Sequence, residues 1–108
     1  MTEPAATVVL VTAPTQELAE QITTMIVQER LAACGNIVPG ITSIYRWQDE
    51  VQHDTEVLIV FKTVNETVQR LAERVKELHP YEVPEVIALP VTAGSAAYLK
   101  WVAANATG

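Results

Sequence analysis

A handful of side chains in this 108-residue chain have the chemistry to hold a transition metal: the thiol of Cys34, the imidazoles of His53 and His79, and the carboxylates of Glu82 and Glu85. No two of them stand at a recognised ligand spacing. His53 falls in a polar hairpin arm, where a solvated imidazole is the ordinary outcome. His79 closes a helical pattern and opens the segment HPYEVPEVIALPV. Two roles fit it there: capping free carbonyls at the negative end of the helix dipole, or reaching a metal or ligand. Glu82 and Glu85 suit a cation, an acid-base pair or plain solvation, and Pro84 between them leaves their separation open. Cys34, behind two alanines, reads more readily as a small buried hydrophobe than as a reactive thiol. Lys62 ends an apolar run, where an ammonium either meets an anionic ligand or snorkels at the rim. Tyr45, Trp47, Tyr81, Tyr98 and Trp101 are five of the six aromatics, and four of them lie at element ends, which suits core filling, a subunit interface or a shallow cleft.

Other chemistries lack their signatures. The chain has no phosphate-cradling glycine loop, no CxxC pair and no nucleophile elbow, so no enzymatic activity is expected. Seven Lys and Arg against thirteen Asp and Glu give a net charge of -6, which repels a nucleic-acid backbone. The apolar runs are strand-sized, short of the roughly 20 residues a membrane helix needs. The opening residues MTEPAATVVLVTAP carry no signal pattern and a lone cysteine suits a reducing compartment, so a soluble cytoplasmic protein is expected. With 49% hydrophobic and 19% charged residues, the composition is that of one folded domain over residues 1–108.

The elements that must position these groups follow from hydrophobic period. Thr7 to Thr12 is apolar on both faces, as a central strand is. From Thr15, a helix cap, Leu18, Ile22, Met25 and Ile26 mark a helix to about Ala32. Cys34 to Gln48 alternates as a strand, with Tyr45 and Trp47 on one face, and Pro39-Gly40 assigns it to a kinked sheet edge. A turn at Asp49-Glu50 leads into a strand from Val51 to Thr63. Asn65 caps a second helix with Glu66 and Arg70 paired on its wet side, and Pro80 stops it. Val86 to Val91 is a fourth strand, and a short C-terminal helix from Ser95 carries Tyr98 and Trp101 on one face. This order predicts an α+β, ferredoxin-like βαββαβ sandwich with a long hairpin between its second and third strands. A long aromatic edge strand is seldom left free, so a homo-oligomer is expected.

The stretches ERLAACGNIVPGITSIYRWQ, EVLIVFKT, HPYEVPEVIALPV and YLKWV, in that order and spacing, closely resemble the CutA divalent-ion tolerance proteins from about Thr7 to Trp101. The resemblance implies a subunit similar to that of the PII signalling proteins, assembled as a cytoplasmic homotrimer. It also implies a link to copper tolerance, to binding of Cu(II) or another divalent cation, and to no enzymatic reaction. Carried onto this sequence, it places Cys34, Asn36, Tyr45, Trp47, Lys62, Tyr81 and Trp101 in a cleft between subunits, with His79 and Glu85 as metal ligands. Some copper-linked members have a cysteine in the first strand and a His-His pair ending the second helix, where this chain has Val11 and Leu78-His79. Two functions compete: a trimeric divalent-metal (copper) response protein, and a PII-like adaptor for a small anionic ligand or a partner, suggested by Lys62 and the aromatics.

Overall fold

The structure, a computed structural model, describes residues 5–108. Its elements run β1 (Ala6–Ala13), α1 (Gln16–Gln28), β2 (Cys34–Trp47), β3 (Glu50–Val64), a 3₁₀ turn (Asn65–Thr67), α2 (Val68–Leu78), β4 (Val86–Pro90) and α3 (Ala96–Asn105). The strands form one antiparallel sheet in the order β2-β3-β1-β4, so the α+β reading holds and β2 lies at an edge as Pro39 requires.

One face of this sheet is the core. Val9, Val11, Ile59 and Phe61 alternate inward and are sealed by Ile22 and Ile26 of α1 and Leu71 and Val75 of α2. Burying each such side chain stabilises the fold by about 1.5–3 kcal/mol. Helix and sheet approach so closely that a Cβ on Gly35 would lie 2.7 Å from the Thr23 methyl. Thr15 caps α1 as expected, its hydroxyl accepting from the Leu18 amide at 3.1 Å. The helix stops at Gln28, short of Ala32. Arg30 takes φ 60, its amide bonding Val27 O while the Leu31 amide bonds Ile26 O, the paired geometry of a Schellman end.

Among the described residues the other face is covered at one end, where Val102 and Ala106 of α3 pack on Val64 and Ala33. Elsewhere Val8, Leu10, Leu58 and Val60 are half-buried, and Ile87 and Leu89 are 49% and 45% exposed. The sheet thus presents an apolar surface that none of the described residues covers.

Beyond the helices the hairpin runs on alone, giving a molecule 49 Å long and 25 × 22 Å across. Its turn is Gln48-Asp49, one residue before the expected position, with φ 50 and 65. Two positive φ values make the two-residue turn whose twist matches a hairpin, here without its usual Asn-Gly signal. The ladder slips between Val38 and Ile41, where Pro39 and Gly40 face one residue of β3. That slip reverses which residues share a face. Before it the even positions Cys34, Asn36 and Val38 pair with Lys62, Val60 and Leu58; after it the odd positions Ile41, Ser43 and Tyr45 pair with Glu56, Asp54 and Gln52.

At the second helix, Asn65 begins the 3₁₀ turn rather than capping α2. Among the described residues Arg70 pairs with no carboxylate. The ion pairs go to Arg74, which forks onto Glu29 at 3.0 Å and reaches Glu77 at 3.8 Å, joining α1 to α2.

Gly40 sits at φ 71, and a Cβ placed there would meet no heavy atom within 4 Å, so its substitution tests backbone strain alone. Gly40→Ala is expected to lower stability by about 1–2 kcal/mol in chemical denaturation, with the slope unchanged.

Candidate functional site

Pro80 ends α2 at Leu78, and His79 takes an extended backbone, φ -96 and ψ 138, that turns its ring back to the sheet. The ring is buried. Its Nε2 donates to Thr12 O at 2.7 Å and its Nδ1 accepts from the Tyr81 amide at 3.1 Å, an arrangement that only the neutral Nε2-H imidazole satisfies. His79 is a brace between the loop and β1, which is a structural role but not the helix cap weighed from the sequence.

The brace fixes Tyr81. Its ring lies 4.5 Å from the imidazole, and its hydroxyl donates to Glu56 Oε2 at 2.8 Å. Burial first, and then the Glu56 carboxylate, push the Tyr81 phenol well above its ordinary range. On the hairpin, the Tyr45 hydroxyl donates to Asp54, a diagonal cross-strand contact that raises Tyr45 as well. Between hairpin and loop lies a cavity of about 570 Å³, lined by Tyr45, Trp47, Glu56, Tyr81, Glu82 and Glu85 among others. Ladder pairing puts Tyr45 and Trp47 on the Glu56 side of the hairpin only because of the slip at Pro39-Gly40.

The remaining predicted residues lie elsewhere. Cys34 and Lys62 are a cross-strand pair about 20 Å along β3 from Glu56, six residues at about 3.4 Å each. The Cys34 thiol sits 3.5 Å from the Tyr98 hydroxyl, a contact that raises the phenol, and Lys62 lines a smaller cavity of about 270 Å³ under α3. Trp101 stacks on Tyr98 with ring centroids 5.6 Å apart, and Asn36 pairs with Val60 on the open sheet face. The residues expected in one cleft therefore form two separate groups within a chain.

As a metal site the donor set does not fit. Both ring nitrogens of His79 are engaged, so holding an ion beside Glu85 would require giving up one of these hydrogen bonds. His53 is exposed opposite Ile44. Among the described residues no three His, Cys, Asp or Glu side chains stand close enough together to hold an ion. Sequence reasoning missed Glu56 and Asp54. The signal for Glu56 was available: a carboxylate two residues before Leu58 shares that residue's face under period-two alternation.

All three tyrosines are thus held above the ordinary value of 10.0, by burial and Glu56, by Asp54, and by Cys34 respectively. A raised acid pKa means the folded state retains protons that the unfolded state has lost, so stability falls as pH rises from 10.0 toward the folded values. Ultraviolet titration is expected to show no phenol ionising at the ordinary value, and Glu56→Gln to bring the Tyr81 transition down.

No helix among the described residues is long and apolar enough to cross a membrane. Residues 7–105 match the family model described as CutA1 divalent ion tolerance protein. The divalent-cation tolerance protein CutA of Thermus thermophilus is 55% identical over 98 residues, 91% of this chain and 95% of that protein. A solved structure of the Thermus thermophilus protein superposes with a TM-score of 0.91 at 54% identity, covering 93% of this chain and 97% of that one. Protein CutA of Arabidopsis thaliana, named as chloroplastic, is 52% identical over 95 residues, which are 88% of this chain and 52% of that protein. This chain spans about half the length of that relative, and family membership does not imply a cytoplasm. The crystal structure of CutA1 from Oryza sativa gives a TM-score of 0.93 at 45% identity, with 97% and 96% of the two chains covered. By sequence and by fold, the chain belongs to the CutA1 divalent ion tolerance protein family.

Proposed function

We propose that this chain serves divalent-cation tolerance as a homotrimeric small-ligand-binding protein, not as a resident copper site. The observation that carries this reading is the cavity of about 570 Å³ beside a His79 whose nitrogens are both spent. Its size falls in the range of small-molecule sites, about 300–1,000 Å³. Trimer assembly is supported by the uncovered apolar sheet face and the edge position of β2, since both bury most economically against other copies of the chain. It also offers the Cys34 and Tyr45 groups, separate within one chain, a way to meet across a subunit boundary.

A second reading draws on Glu82 and Glu85, which both line the cavity. Carboxylate oxygens suit hard ions such as magnesium, calcium or manganese, with further ligands supplied by another copy.

Two experiments test these readings. Sedimentation is expected to give three copies of 11.8 kDa, about 35 kDa, and Leu89→Glu on the open face to yield smaller species. A wild-type monomer contradicts the assembly. In calorimetric titrations with Cu(II), wild type and His79→Ala are expected to bind with the same weak affinity, the substitution acting on stability instead. A tight Cu(II) site lost in His79→Ala restores the imidazole ligand. Loss of magnesium or manganese binding in Glu85→Gln alone supports the carboxylate reading.

A further inference from the structure

We draw no further inference here: the strongest candidate, the cluster of Glu56, Glu82 and Glu85 in the cavity between the hairpin and the His79–Glu85 loop, is an acidic cluster with no second feature that points to a ligand, since Glu56 already accepts the Tyr81 hydroxyl at 2.8 Å and nothing in the structure shows what covers the hairpin rings beside it.

Discussion

The extra residue in β2 is the constraint on which the rest depends. Side chains alternate with period two, so one inserted residue transfers every later side chain to the opposite face. With Pro39 and Gly40 set against a single residue of β3, Tyr45 and Trp47 stand with Glu56 and Asp54. With a continuous ladder the same sequence would send both rings to the far side of the hairpin, and the cavity would have one wall. The device is local and needs two residue types: a proline with no amide to donate and a glycine that accepts φ 71.

The opposite wall is held by a different kind of interaction. A neutral imidazole bridges residues 67 positions apart, from Thr12 to His79, and its second nitrogen orients the amide of Tyr81. Imidazole is suited to this work because, in one tautomer, it both donates and accepts. The same engagement leaves neither ring nitrogen without a partner in this structure. The family's link to divalent ions therefore need not be expressed through the histidine that looks most like a ligand in the sequence.

What was legible in the sequence follows from the range of the forces involved. Strand and helix periods, the Thr15 cap, the terminal helix after Ser95, the stop at Pro80 and the edge position of the Pro39 strand all arise from neighbours in the chain. The end of α1 comes earlier than its apolar period suggests because Arg30, not glycine, occupies the left-handed position, so the usual C-terminal signal is missing. The hairpin turn lies one residue early for a similar reason, Gln48-Asp49 standing where Asn-Gly would announce itself. Glu56 is hard to read because it opens the run EVLIVF and so resembles a solvated flank, while its burial depends on Tyr81 arriving from another part of the chain. Chemistry is visible residue by residue; who meets whom is not.

The hairpin's reach has a mechanical side. From Ile41 to Thr55 no residue is buried, so this arm is held by its own ladder and by contacts such as that of Tyr45 with Asp54, whereas the Tyr81 wall is tied to the core strand β1 through His79. Segments with little buried apolar contact open at lower free energy than the core does. Within a single chain the cavity thus has one rigid jaw and one compliant jaw. A guest that touches both must quiet the compliant one, and the entropy lost in doing so is subtracted from its affinity. Stiffness of the arm, as much as the chemistry of the lining, then sets how tightly anything is held.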